Sequence, residues 1–308
     1  MKEKKSLLTN GFVVALGALI SCALWGSATP FIKTGYELML PEKDVPSTIL
    51  FAGCRFALAG VLTVLFGIVL NRRWICPKKE NLGKVSLVGL FQTVIQYIFF
   101  YIGLANTSGV KGTVLSSSNA FFCLLIASLV FRQEKLTLKK IVACIFGFTG
   151  IIMVNLNGLD FTMNFMGDGF VLIAAFSGAV SSILIKRYSE YEDTVAISGY
   201  QFLMGGVVLI IAGLLCGGKI SVTTVSAAAV LTYLSFLSAV AYTLWGLLLK
   251  HNDVSKVTIY HFAVPIFGVW LSELMLKEQK NVSPMNLVIT LVLVCTGILM
   301  INLRENKN

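Results

Sequence analysis

The chain has 308 residues, of which 56% are hydrophobic and 13% charged, and its mean hydropathy is +0.82, so water cannot be its main solvent. The formal net charge of +10 sits in short clusters between apolar runs rather than on a soluble basic face, which argues against nucleic acid as a partner. Seven scattered cysteines without CxxC or metal-type spacing argue against a disulfide framework and a metal centre.

Apolar runs of about 18 to 23 residues, each able to cross roughly 30 Å of hydrocarbon as a helix, recur along the whole sequence. The first, predicted at 11–32, follows Lys2, Lys4 and Lys5 in the manner of a signal peptide. Its length and the nine runs behind it predict a retained span instead, and it carries Trp25. Span 2, at 47–70, holds Arg55, the single basic residue placed within a span. That side chain could snorkel, bond to carbonyls or meet a carboxylate; its place toward one end of the span favours a structural partner. Span 3, at 84–104, sets Gln92 and Gln96 on one face with Tyr97 beside them, and span 4, at 109–131, brings Ser117 and Asn119. Span 5 covers 138–156; span 6, at 168–186, offers Ser177 and Ser181; span 7 covers 195–216. In span 8, at 224–249, Ser235, Ser238, Tyr242 and Trp245 form a stripe at helical spacing. Span 9, at 255–276, has His261 one turn before Pro265 and Glu273 about one turn from its end, and span 10 covers 284–303.

A polar side chain at mid-membrane turns toward the bundle interior or a wet cavity, because hydrocarbon penalises it. The candidate solute-binding residues are therefore Trp25, Gln92, Gln96, Tyr97, Asn119, Ser177, Ser181, Tyr242, Trp245 and His261. Serines on membrane helices often bond their own backbone or a neighbouring helix, and rings serve as core or interface anchors as readily as cavity walls. Gln96, Asn119 and His261 are too polar for casual packing. Glu134 and Glu278 each stand just before the next helix, where a carboxylate bonds free backbone amides, and both are read as structural.

Lys and Arg divide unevenly between the two sides of such a bundle, 18 against 6 with Arg55 within a span, which places both termini in the cytoplasm of a multi-pass cell-membrane protein. The halves also resemble one another. Leu124 to Glu134 matches Gly268 to Glu278 at an offset of 144 residues, Thr149 to Asn155 lies over Thr296 to Asn302, and Arg55-Phe56 pairs with Gln201-Phe202. Five spans per half make equivalent helices run in opposite directions, an inverted repeat of the kind found in secondary transporters.

Trp25-Gly26-Ser27 with Pro30-Phe31, Arg55-Phe56 with Ala59, Leu129 to Glu134 with Leu136, Pro265, Phe267-Gly268 and Glu273 to Glu278 together resemble the drug/metabolite transporter superfamily, specifically its EamA-type members. The resemblance covers nearly the whole chain. It implies an all-α integral membrane fold of ten transmembrane helices as two inverted five-helix repeats, at 1–156 and 168–308. It also implies export or exchange of amino acids, sugars, nucleosides or related metabolites. Phe121 stands where the second half has Pro265, which sets a symmetric proline kink aside. The span-1 glutamate of the small multidrug-resistance relatives is missing between Gly11 and Ile32, which weakens a cationic-drug antiporter reading.

The expected function is a secondary transporter of a small organic metabolite such as an amino acid, working by alternating access, with the solute and membrane lipid as partners and no cofactor. A membrane enzyme is disfavoured: His251 and His261 are the only histidines, and neither a GxSxG nor an HExxH pattern occurs. ATP drive is disfavoured by the lack of a GxxxxGK[ST] loop. A lipid- or drug-translocating protein, or a non-transporting scaffold, is the alternative. The solute, its direction, the coupling ion and the oligomeric state, a monomer among the options, stay open at this level.

Overall fold

The structure is a computed structural model that describes residues 7–42, 44–107, 109–154, 162–276 and 284–302. Ten helices, with no strand among the described residues, follow the ten predicted spans. They are α1 (Gly11–Met39), α2 (Val45–Asn71), α3 (Lys79–Ala105), α4 (Lys111–Val130), α5 (Leu138–Val154), α6 (Phe165–Tyr188), α7 (Thr194–Leu215) and α8 (Val225–His251). Helix α9 runs in three pieces, Val254–Thr258, Ile259–Ala263 and Val264–Leu276, and α10 is Pro284–Asn302. By length and composition eight of the ten can cross a membrane as single helices; α5 has 17 residues and α9 is broken. Lys2, Lys4, Lys5, Glu278 and the last residues of spans 5 and 10 lie outside the described residues, as does the side chain of Glu273.

The helix starts are set by side-chain caps on otherwise unpaired backbone amides. Asp44 accepts from Ser47 N at 2.9 Å, Asp193 from Val195 N at 2.8 Å and Ala196 N at 3.2 Å, and Thr224 from Ala227 N at 3.1 Å. Helix α1 continues to Met39, beyond the predicted end of its apolar run, because backbone hydrogen bonding is indifferent to the Lys33 and Glu37 charges that end the run. Several spans are irregular inside. Helix α3 carries a π-helical stretch at Leu90–Ile95, α4 is interrupted by a turn at Ser117 and Ser118, and α9 tightens to a 3-10 helix at Ile259–Ala263. Pro265 explains the last: it has no N–H for the His261 carbonyl, which accepts from Val264 N instead. The break in α4 needs no proline. Ser116 and Ser117 turn their hydroxyls back onto Gly112 O and Thr113 O at 2.7 and 3.0 Å, competing with the backbone ladder.

The packing is reciprocal between halves. Helix α1 lies on α8 and α9 while α6 lies on α3 and α4; α2 pairs with α7 and α5 with α10. The α2–α7 seam is drawn tight by glycines spaced seven apart on both helices, Gly53, Gly60 and Gly67 against Gly199, Gly206 and Gly213. Gly53 faces Gly206 and Gly60 faces Gly199, so backbone meets backbone.

Polar contacts tie the loops at each end of the bundle. At the more basic end Glu192 accepts from Lys78 N at 3.1 Å and Asn81 Nδ2 at 2.8 Å, and Asn252 Nδ2 reaches Leu8 O at 2.9 Å. Glu134 is structural there, but it caps a different helix from the one its sequence position suggests. Its carboxylate takes Ser255 N at 3.2 Å and Ser255 Oγ at 2.7 Å at the start of α9, and Lys140 pairs with it at 3.0 Å. At the opposite end Asp168 pairs with Lys111 at 2.7 Å and accepts from Thr107 Oγ1 at 2.6 Å, while Lys219 N donates to Ser47 Oγ at 2.9 Å.

Candidate functional site

Midway along the α2–α7 seam, the rings of Phe56 and Phe202, a pair already matched between the two halves, stack with centroids 5.3 Å apart and planes 14° from parallel. Tyr97 of α3 leans on Phe56 at 4.4 Å and Tyr242 of α8 on Phe202 at 5.1 Å. The two tyrosine hydroxyls, 145 residues apart in sequence, share a hydrogen bond of 2.8 Å. Sequence reasoning passed over Phe56 and Phe202 as candidates; their place beside Arg55 and Gln201 in the repeat was the available signal.

From Tyr242 the cluster continues into α1 and α9. Trp25 packs edgewise on Tyr242 at 5.0 Å and on Trp245 at 4.9 Å, and lies 5.6 Å from the His261 ring, which is itself 6.1 Å from Trp245. Four of the predicted residues, from α1 and the consecutive helices α8 and α9, thus form one group. The stripe on α8 brings Tyr242 and Trp245 to it, and the break made by Pro265 sets the ring of His261 against α1. Gly26 allows the approach: a Cβ there would sit 2.6 Å from Phe267 Cβ and 2.8 Å from Gly268 N.

Two nitrogens in this cluster are buried without a hydrogen-bond partner, Trp25 Nε1 and His261 Nδ1. An indole N–H only donates, and an imidazole Nδ1 donates or accepts according to tautomer. Leaving such a group unpaired costs about 1–3 kcal/mol, so both atoms favour a polar ligand or water that reaches them.

A second group forms over α6. Gln96 Oε1 and Asn119 Nδ2 both come to Gly178, each 2.9 Å from where a Cβ would be, and Asn119 Nδ2 donates to Ala175 O at 2.8 Å. Gln96 adjoins the π-helical stretch of α3 and Asn119 follows the break in α4, so each amide sits beside an irregular turn, as His261 does. Tyr97, next to Gln96, links this group to the aromatic cluster. The serines are committed to backbone: Ser177 donates to Phe91 O at 2.6 Å and Ser181 to Gly178 O at 2.8 Å, both fully buried. Gln92 is buried with Oε1 unpartnered, and Gln201 accepts from Thr93 at 2.7 Å. Ser235 bonds its own helix at Leu231 O, 2.7 Å, and Ser238 bonds Leu234 O at 2.8 Å. Among the described residues no group of three or more His, Cys, Asp or Glu side chains is placed to hold a metal.

Helices long and apolar enough to cross a membrane, several of them broken inside with polar and aromatic groups at the breaks, are the architecture of a membrane transporter. The chain belongs to the EamA-like transporter family, within the drug/metabolite transporter superfamily: the family's model matches twice, over residues 12–156 and 165–303. A protein of Archaeoglobus fulgidus described as an uncharacterized transporter is 26% identical over 85% of this chain and 89% of its own length. A probable amino-acid metabolite efflux pump of Escherichia coli is also 26% identical, covering 85% of this chain and 86% of the pump. A solved crystal structure superposes with a TM-score of 0.77 over 94% of this chain and 96% of that one; at 15% identity the likeness speaks to the fold alone.

Proposed function

We propose that this transporter moves a small organic metabolite of amino-acid size by alternating access, with Trp25, Tyr97, Tyr242, Trp245 and His261 forming one wall of the solute path and Gln96 and Asn119 another. The observation that carries this is the pair of unpartnered buried nitrogens, Trp25 Nε1 and His261 Nδ1, inside an aromatic cluster where three helices from both halves meet. The reciprocal pairing of α1 with α8 and α9, and of α6 with α3 and α4, supports two inverted repeats, 1–156 and 168–308, that rock about the α2–α7 seam. The similarity to the Escherichia coli protein described as a probable amino-acid metabolite efflux pump favours efflux and an amino-acid-like solute. The basic bias of the loops supports cytoplasmic termini in the cell membrane.

The test is flux of labelled metabolites into and out of liposomes containing the full chain. Empty liposomes serve as controls. Gln96→Leu, Asn119→Leu and His261→Leu should each impair flux while leaving expression and thermal stability near wild type. Normal flux in all three overturns the assignment of the path, and no flux of any metabolite in the wild type overturns the carrier reading in favour of a scaffold.

A further inference from the structure

Arg55 is buried, with 2% of its surface accessible, at the tenth residue after the start of α2, about 15 Å along that 27-residue helix and so well inside the apolar span. It sits deeper than the run of apolar sequence suggested. Its Nε and Nη2 both donate to one oxygen, Ser238 Oγ of α8, at 3.1 and 2.9 Å, and its guanidinium lies 5.0 Å over the Phe56 ring. A guanidinium carries five N–H groups, so one serine hydroxyl leaves Nη1 and part of Nη2 without a partner among the described residues. Among the described residues the charge has no counter-ion either. Arg55 forms no ion pair among the described residues, and α2, α7 and α8 contain no Asp or Glu. A neighbouring serine is a weak answer to a full positive charge inside an apolar span, where position alone is costly.

The environment fits an acidic ligand. The phenol groups of Tyr36, Tyr97, Tyr101 and Tyr242 lie within electrostatic range of the guanidinium, and they add hydroxyls without adding negative charge. Ser238, which holds Arg55, is one turn from Tyr242 and two turns from Trp245 on the same face of α8. The guanidinium end and the Trp245 end are thus separated by about 10 Å along that helix, close to the length of an amino acid with a large side chain. At the position matched to Arg55 in the other half, Gln201 is fully buried and neutral, so the repeat carries this charge in one half and not in the other. We propose that Arg55 receives the carboxylate of the transported solute, whose body lies along Tyr242, Trp25 and Trp245, and that the solute class is an organic acid or amino acid rather than a neutral sugar or nucleoside. This rests on the central cluster being the solute site.

The experiment measures counterflow and tryptophan-fluorescence binding with the reconstituted full chain. The probes are L-leucine and L-phenylalanine, their α-amides, and glucose and adenosine as solutes without a carboxylate. Wild type should prefer the acids to the amides. In Arg55→Gln that preference should fall by about 10- to 100-fold, the loss of one charge-assisted contact, and Arg55→Lys should retain part of it. Thermal unfolding of Arg55→Gln should stay near wild type, because glutamine keeps a donor for Ser238 Oγ and removes a buried charge that has no ion pair among the described residues. Where Arg55→Gln does not fold, Ser238→Ala replaces it. That change frees the guanidinium, so acid affinity should hold or rise while amide affinity does not change; an equal fall in both overturns the proposal. It is also overturned if acids and amides move alike, if no acid moves at all, or if the acid-to-amide ratio is the same in wild type and Arg55→Gln. Stabilisation of wild type but not Arg55→Gln by chloride, with no effect of the acids, makes Arg55 an inorganic-anion site and overturns it as well. Trp25→Ala and His261→Leu separate the two ideas. If these variants reduce flux while the Arg55 variants leave the ratio unchanged, only the carboxylate assignment fails; if they leave flux intact, the site itself fails.

Discussion

Replacing Gly206 with alanine tests whether the two halves are held together by direct contact of backbones. A Cβ at this position would stand 2.4 Å from Ala57 N, 2.8 Å from Ala57 Cα and 3.0 Å from Gly53 O, all of them main-chain atoms of α2. Ordinary van der Waals contact needs about 3.5–4.0 Å, so α2 and α7 must part by about 1 Å over several turns. Overpacking of this kind costs about 1–3 kcal/mol, against about 1 kcal/mol gained from alanine's better helix propensity. The net effect should be a clear loss of thermal stability in detergent and a larger loss of flux, since a seam that rocks must keep its two partners in register. Because the obstruction is backbone, Ala57→Gly should not rescue Gly206→Ala. Gly83→Ala is the control: nothing lies within 4 Å of a Cβ there, and this helical site should be neutral or slightly stabilised. The assay is fluorescence-detected size-exclusion chromatography after heating, with flux measured on the same preparations. An unchanged unfolding temperature and flux in Gly206→Ala, or an equal loss in Gly83→Ala, would refute the close-contact seam.

Three further outcomes are expected. Single cysteines in a cysteine-free background should be protected from an impermeant reagent in intact cells at Lys79 and labelled at Gly218; the opposite pattern reverses the orientation. Solute-for-solute counterflow should persist without a pH gradient, and any proton dependence should disappear in His261→Gln, which bonds but cannot titrate near neutral pH. Proton-driven accumulation by that variant at the wild-type level removes His261 as a coupling group. Glu134→Gln keeps the shape of the contact but removes the charge held by Lys140 and by the Ser255 amide and hydroxyl, and should lower stability by about 1–3 kcal/mol, read as earlier thermal unfolding; no change would mean that the cap is dispensable.

The existence and order of the ten helices were legible in the sequence because a membrane segment must satisfy its backbone internally and present apolar side chains over a fixed thickness, which leaves a continuous mark on the chain; the end of α1, which runs on to Met39, was not, because charged residues end an apolar run without ending a helix. The α8 stripe was legible for a similar reason, since helical spacing alone decides that Ser238, Tyr242 and Trp245 share a face. Arg55 was visible as an anomaly, but its depth was not: the helix begins at Val45, and only its packing shows that the guanidinium meets Ser238 rather than the interface. Likewise the sequence marked Glu134 as a carboxylate beside a helix start, while the helix it caps, α9, is 121 residues away. The serines show the opposite limit, for Ser177 and Ser181 have the polarity of a solute wall yet spend it on Phe91 O and Gly178 O. Tertiary structure alone brought Trp25, Tyr97, Tyr242, Trp245 and His261 into one cluster, because that meeting depends on helix crossings set by glycine contacts and on a 3-10 turn imposed by Pro265, and periodicity along one helix says nothing about which other helix it faces.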